Sequence, residues 1–557
     1  MKQILRMGAA VASIPAGMAL GAVHRVLTGR AVVTLDVKRV SEALDRAALA
    51  DRVRGLAADP HVVAVVLRLE GPPGGWASCQ DLLSALGEVR QAGKPVYALI
   101  ESAGNAVLWL ASAANRVFCV PTGELALVGV GVELTFFGAA LERLGVQPDF
   151  EAAGAYKSFG EAWTRAYPSP ENLEAMTTLV DGLHGLLVRG IAERRELSVE
   201  QVEQAMAAAP LSAEDALERG LVDALLYEDQ LREWLEDTHG DDIKHVGFSQ
   251  WASRDSARAR ISDWGNAEQV ITVLHLDGNI VMESDGGGVN IAARTVVPIL
   301  KELREDDSVA GVVLNINSPG GHALASDLMW REVEALCQKK PVVACYEDVS
   351  ASGGVYLSSP VREIFVRPGT LTGSIGVVGG KLVAGKGLRS VGVHVHEVAA
   401  APNASLFSPN RRFTDDQRVR FRESLQRFYD GFVERVAQGR GLEPDQVEPH
   451  CRGRVWTGEQ AVGHGLVNQI GDLNDAIARI RDLATVRPGR HVVKHRSSDA
   501  RTWTQKQVAA AMKKVRPGAA LALSELWLPA PVRGWLDVAL RYPGEILAIL
   551  PVHIRLR

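Results

Sequence analysis

Three short stretches of this chain carry the residue types that acyl-transfer chemistry needs. Ser350, Ala351, Ser352, Gly353 and Gly354 stand between an apolar run ending near Tyr346 and a helix-like segment from Val355. A serine at a strand-to-helix turn has unpaired N–H groups and the partial positive charge of the helix start beside its hydroxyl. Glycines after it let a substrate backbone come close. A serine that merely caps a helix in a tight turn would read the same way. A free serine hydroxyl is a weak nucleophile, so a catalytic one needs a base.

Histidine is the usual base, but no histidine motif follows the turn. His394 and His396 alternate with Val393 and Val395, which reads as a strand face, and His322 beside a Gly-Gly turn is the one histidine retained as a candidate. Lysine serves only if its amine is neutral near neutral pH, which burial can achieve by lowering its pKa by up to ~3 to 5 units. Lys157, between Tyr156 and Phe159 in a weakly charged stretch, suits that requirement; a surface lysine with its head in water is the competing reading. The third stretch is Ser318, Pro319, Gly320 and Gly321, a turn that can aim backbone N–H groups at developing negative charge, or simply be scaffold.

The elements that must position these residues occur twice. Leu110, Phe118, Pro121, Gly129, Gly138, Leu141, Gly145 and Val146 recur 247 positions later as Leu357, Phe365, Pro368, Gly376, Gly385, Leu388, Gly392 and Val393. Upstream the offset is 246, pairing Gly74, Gly75, Asp81, Lys94 and Glu101 with Gly320, Gly321, Asp327, Lys340 and Glu347. Such self-similarity marks a duplicated unit. Buried β-branched runs such as Val62 to Leu69 and Val309 to Ile316 alternate with helical segments, which predicts an α/β fold on mostly parallel sheets. We place the first repeat at 30–235, a polar linker at 236–267 and the second repeat at 268–485.

Where the copies differ, the fold does not require the residue. The first copy has Ser102, Ala103, Gly104 and Asn105 where the second has the Ser-Gly-Gly turn. The second has Asn403, Ala404 and Ser405 where the first has Tyr156, Lys157 and Ser158. Each half therefore holds one piece that the other lacks.

Composition narrows the class. At 557 residues, 47% hydrophobic and 23% charged, the chain is globular and long enough for several domains. Its formal net charge of −5 gives no general attraction to nucleic acid. Cys79, Cys119, Cys337, Cys345 and Cys451 form neither a metal-ligand pattern nor a full disulfide framework. Residues 1–29 include an uncharged run from Met7 to Val23, at the short limit for spanning a bilayer, read as a membrane anchor or signal segment. Residues 486–557 form a basic, partly apolar tail, with ten Lys and Arg against four Asp and Glu from His495 onward.

The set of motifs resembles signal peptide peptidase type A, also called protease IV, in its long duplicated bacterial form. The matching pieces are Ser318 to Gly321, Ala351 to Gly354 with Tyr356, Leu371 to Val377, Tyr156 to Ser158 and Val455 to Val467, in the family's order. The resemblance implies a tandem duplication of a crotonase/Clp-protease-like domain. It implies a serine endopeptidase with a Ser-Lys dyad, Ser352 as nucleophile and Lys157 as general base, cleaving hydrophobic peptides such as residual signal peptides. Ser374 would hydrogen-bond the lysine, Gly321 and Gly353 would offer oxyanion N–H groups, and no cofactor or metal would be needed. It further implies a homo-oligomer, with a tetramer favoured, held by its N-terminal segment to membrane lipids on the periplasmic face of the bacterial inner membrane. The tail falls outside the resemblance. A crotonase-like acyl-CoA enzyme and a catalytically inactive membrane scaffold are the alternative readings.

Overall fold

The computed structural model describes residues 29–253, 269–284, 289–486, 491–498 and 546–549. The Met7 to Val23 run and most of the basic tail lie outside them. Among the described residues no helix is long and apolar enough to cross a membrane.

Two sheets repeat the same strand order. In the first, Arg116–Ala126, Val96–Gly104, Val62–Leu69 and Ala31–Val37 lie side by side in parallel, with Lys244–Gly247 added at the far edge and Leu211–Ser212 antiparallel at the near one. In the second, Leu371–Gly373, Val342–Ala351, Val309–Ser318 and Gln269–Asp277 take the corresponding places. His491–Ser497 forms its far edge and Val455–Thr457 its near one. Central strands such as Val62–Leu69 are apolar on both faces because helices cover both sides of a parallel sheet. The duplication legible in the sequence is thus a duplicated α/β unit.

Two of these strands fall in stretches that read as linker and tail. Lys244–Gly247 pairs with Ala31–Val37, and His491–Ser497, which starts 247 positions after Lys244, pairs with Gln269–Asp277. Both are edge strands, half-buried to exposed along much of their length, so polar residues such as Lys244, Lys494 and Arg496 are tolerated and hide the strand from a hydrophobicity pattern.

A third, six-stranded sheet joins the repeats. Gln147–Ala153 of the first pairs antiparallel along its whole length with Val377–Val383 of the second, from Val377 opposite Ala153 to Val383 opposite Gln147. The hydrophobic cores also cross the junction: Ala351, Leu371 and Val455 belong to the first repeat's core, and Ala153 to the second's. Ion pairs cross it as well. Arg46 meets Glu347 at 2.7 Å, Arg367 meets Asp81 at 2.5 Å, and Arg54 pairs with Asp472.

Candidate active site

The serine turn follows directly from the central strand of the second sheet. Val342–Ala351 ends one residue before Ser352, and the helix Gly353–Ser358 begins one residue after it. Ser352 is fully buried at φ 54°, ψ −110°, an unfavourable backbone for a residue with a side chain. Its N–H donates to the Gly373 carbonyl at 2.8 Å, while Tyr356 N–H donates to its carbonyl at 2.9 Å, so the turn is held from both sides. Strain of this kind is sustained only where the surroundings over-determine it, as they do at functional sites. Tyr356 anchors the helix from within the core and donates its hydroxyl to Asp327 at 2.7 Å.

Lys157 reaches this turn from the other repeat. The strand Gln147–Ala153 delivers the chain to a tight turn, closed by Lys157 N–H donating to Gly154 carbonyl at 3.0 Å, which points the side chain into the junction. Its amine lies 2.9 Å from the Ser352 hydroxyl, 2.9 Å from the Ser374 hydroxyl and 2.8 Å from the Ser374 carbonyl. No carboxylate is among these partners, and burial alone holds the amine well below the ordinary lysine range. Ser374 is fully buried and also left-handed, at φ 51°. The three groups read from the sequence meet at one point.

Gly320–His322 lies beside the serine helix, and the Gly354 Cα comes close enough to that region for an added Cβ to sit 3.4 Å from the Ser318 carbonyl. Gly321 is left-handed at φ 156°, and a Cβ there would meet the Ile280 carbonyl at 2.1 Å, so only glycine fits. His322 is buried and its Nδ1 accepts from Ala325 N–H at 3.3 Å, which makes it a helix cap rather than a base for Ser352. The run Val393 to His396, read as a strand face, belongs to no sheet among the described residues and is exposed.

The first repeat has the same turn with different side chains. Asn105 stands 247 positions before Ser352, and its side-chain amide is tied to the backbone of Gly129 by a 2.8 Å and a 3.1 Å hydrogen bond. Gly129 is the counterpart of Gly376, whose carbonyl lies 3.5 Å from the Ser352 hydroxyl. Ala404, the counterpart of Lys157, is exposed and has no amine to offer.

Sequence reading missed the segment that clamps both halves of the site. Arg452 carbonyl accepts from Tyr156 N–H at 2.7 Å, Arg454 carbonyl accepts from Ser374 N–H at 2.6 Å, and Gly453 N–H donates to Ile375 carbonyl at 2.7 Å. Gly453 sits at φ 83° with its Cα against the Lys157 backbone. The Arg454 guanidinium lies 5.0 Å from the Tyr156 ring centroid and 2.6 Å from the Glu174 carboxylate. The only trace in the sequence is the short polar run Arg452, Gly453, Arg454 just before the Val455 to Val467 motif. Among the described residues no group of His, Cys, Asp or Glu is arranged to hold a metal, and all five cysteines are unpaired thiols.

The chain is similar to several known proteases. Protease 4 of Salmonella typhi is 29% identical over 84% of this chain and 76% of its own length. Serine protease SPPA, chloroplastic, of Arabidopsis thaliana is 28% identical over 80% of this chain and 67% of its own. Among solved structures, ClpP1 from Listeria monocytogenes aligns with 40% of this chain and 98% of that one, at 17% identity and a TM-score of 0.24. The model of peptidase family S49 matches residues 88–241 and again 334–487, one match in each repeat. The chain therefore belongs to peptidase family S49 and is a serine peptidase.

Proposed function

We propose that this chain is an endopeptidase working through a Ser352–Lys157 dyad assembled from its two repeats. One observation carries the reading: a fully buried lysine amine, with burial as the cause of its depressed pKa, 2.9 Å from a strained serine hydroxyl. The neutral amine takes the proton of Ser352 as Oγ attacks the peptide carbonyl. The N–H groups of Gly321 and Gly353 hold the oxyanion, and the lysine ammonium then protonates the leaving amine. In the second half the amine takes a proton from water, whose oxygen attacks the acyl ester, and the resulting ammonium returns that proton to Ser352 Oγ as it leaves. Ser374, through its hydroxyl and carbonyl, holds the amine in line throughout.

The oxyanion assignment has support inside the chain. Gly75, the counterpart of Gly321, donates its N–H to the Asp348 carboxylate at 2.7 Å, so this turn binds a negatively charged oxygen in the repeat that does no chemistry.

The substrates are hydrophobic peptides such as residual signal peptides, and the enzyme works at the periplasmic face of the bacterial inner membrane, anchored by its N-terminal segment; both points rest on the resemblance. Assembly into a homo-oligomer has structural support. Residues 394–400 are the repeat counterparts of Gln147–Ala153, and residues 130–136 those of Val377–Val383. The original pair forms the antiparallel ladder between repeats. The counterparts join no strand ladder among the described residues, and Val391, Val393, Val395 and Val398 are 74%, 48%, 53% and 93% exposed. A second copy supplies the missing strand.

Hydrolysis of a fluorogenic apolar peptide by detergent-purified protein tests the dyad. Ser352→Ala and Lys157→Ala are each expected to lower kcat by at least ~10³-fold while folding normally. Full activity in either variant rejects the assignment.

A further inference from the structure

The long helices Pro170–Arg195 and Asp415–Arg440 are the same element in the two repeats, 245 positions apart, and each ends on an arginine. In the first repeat that arginine is neutralised: Arg195 forms a two-pronged ion pair with the Asp223 carboxylate, at 2.9 Å and 2.8 Å. Asp223 also accepts from Val117 N–H at 2.6 Å. In the second repeat the counterpart of Asp223 is Asn468. Its side-chain oxygen accepts from Ile364 N–H at 2.9 Å and from the Arg440 guanidinium, so the geometry is kept while the negative charge is gone. Arg440 has no carboxylate partner among the described residues, its other acceptor being the Val361 carbonyl, and burial pulls its pKa below the ordinary arginine range. Taking an ion out of water is costly unless an opposite charge compensates it.

Arg440 lines a cleft of about 600 Å³ between the helices Ala323–Lys339 and Asp415–Arg440, and Arg362, Arg435 and Trp330 are also on its walls. That volume falls within the ~300 to 1,000 Å³ of small-ligand sites. The first repeat has Asn115, Gly190 and Ser84 in place of these three, so the fold does not require them. Most of the charges around the cleft are already paired. Arg435 stacks 4.2 Å from the Trp330 ring centroid and meets Asp327 at 3.0 Å, while Glu334 meets Arg331 and Glu363 meets Arg479, each at 2.6 Å. The exceptions are Arg440 and the exposed Arg362, which joins no ion pair among the described residues. Two unmatched guanidinium charges thus line one cleft.

We propose that this cleft is a binding site for a doubly charged phosphate group, held by Arg440 and Arg362. A phosphate monoester carries close to two negative charges at neutral pH, which matches the two unpaired cations. The planar guanidinium fork suits phosphate oxygens and keeps its charge throughout the physiological range. The same chemistry is offered by a soluble phosphate and by a lipid headgroup ending in phosphate. The site is separate from the peptide-cleaving groups, because Pro360 and Arg362 follow the helix Gly353–Ser358 at the end opposite Ser352. It therefore stands or falls independently of the dyad.

The first repeat supplies the test variants. Asn468→Asp restores the ion pair that Arg195 and Asp223 make there, and Arg362→Asn installs the first repeat's residue at an exposed position, so both should fold, as cooperative urea unfolding will show. The full-length chain is titrated by calorimetry with inorganic phosphate and with a short-chain phosphatidic acid kept below its micelle concentration. Wild type should bind saturably, and each variant at least ~10-fold more weakly, because each loses one unmatched positive charge. Binding of the lipid at least ~10-fold tighter than inorganic phosphate would identify a headgroup as the source, and comparable binding a soluble phosphate; either result supports the site. No saturable binding of either probe to wild type, or equal affinity in wild type and either variant, overturns the proposal.

Discussion

Asp348 of the second repeat places its carboxylate in the Gly-Gly turn of the first, where Gly75 N–H donates to it at 2.7 Å, Ser78 N–H at 2.8 Å and Ser78 hydroxyl at 2.7 Å. The Gly-Gly turn of the first repeat, the counterpart of Gly320 and Gly321, is thus a fastening point between repeats. Asp348→Ala leaves these donors unpaired at a half-buried junction. Hydrogen bonds to charged groups contribute about 1.5 to 3 kcal/mol each, with sharing among donors reducing the sum. Urea denaturation should show a loss of about 2 to 3 kcal/mol, and a variant as stable as wild type would mean that the turn is held by other contacts.

The buried amine of Lys157 makes both activity and stability depend on pH in a fixed direction. In the proposed dyad the amine acts when neutral, so kcat/KM should rise with pH through a midpoint well below 10.5, and this limb should be the lysine's. A midpoint near 10.5 would place the amine in water.

Stability follows from the same shift. The folded pKa lies below the unfolded value of 10.5, so between the two the unfolded chain binds the extra proton and stability rises with pH. Relative to Lys157→Met, wild type should gain up to about 1.4 kcal/mol per pH unit across that window, measured by denaturant titration at several pH values. A difference that stays flat with pH would exclude the depressed pKa.

Gly453 positions the lysine without touching substrate. A Cβ there would lie 2.6 Å from Lys157 N and 2.7 Å from its Cα and Cβ, all backbone or near-backbone atoms that cannot swing away. Displacing a catalytic group by about 1 Å can cost ~10²-fold, so Gly453→Ala should lower kcat by about that much with KM little changed. Gly463→Ala, where nothing lies within 4 Å, is the control and should be fully active. Equal rates for the two variants would remove Gly453 from the positioning role.

The assembly reading predicts a register. Transposing the Gly379–Glu151 pair by 247 positions places Val132 opposite Val398 of a second copy. Val132→Cys with Val398→Cys should cross-link between chains under mild oxidation. Val132→Cys with Glu397→Cys should not, since a one-residue slip turns the side chain to the other face. A monomer on light scattering, or equal cross-linking by both pairs, would count against this interface.

Much of the site was legible in one dimension because the duplication supplies its own control. Ser352 against Asn105 and Lys157 against Ala404 separate chemistry from scaffold without any structure, and the β-branched runs specify buried parallel strands by their burial requirement alone. The clamp at Arg452 to Arg454 was not legible, since its contribution comes from backbone carbonyls and one close glycine contact, which leave no residue-type signature. Edge strands Lys244–Gly247 and His491–Ser497 were hidden for a related reason: their partners are set by main-chain hydrogen bonds, while most of their side chains are polar or only half-buried. The sequence by itself determined that there are two α/β units and that the serine turn and the Tyr156–Ser158 segment each occur in only one of them, with Lys157 and His322 as the candidate bases. Only the tertiary structure decided that the two halves meet. A 2.9 Å approach between residues 195 positions apart depends on how two cores pack and on which strands cross between them, and no local pattern encodes that distance.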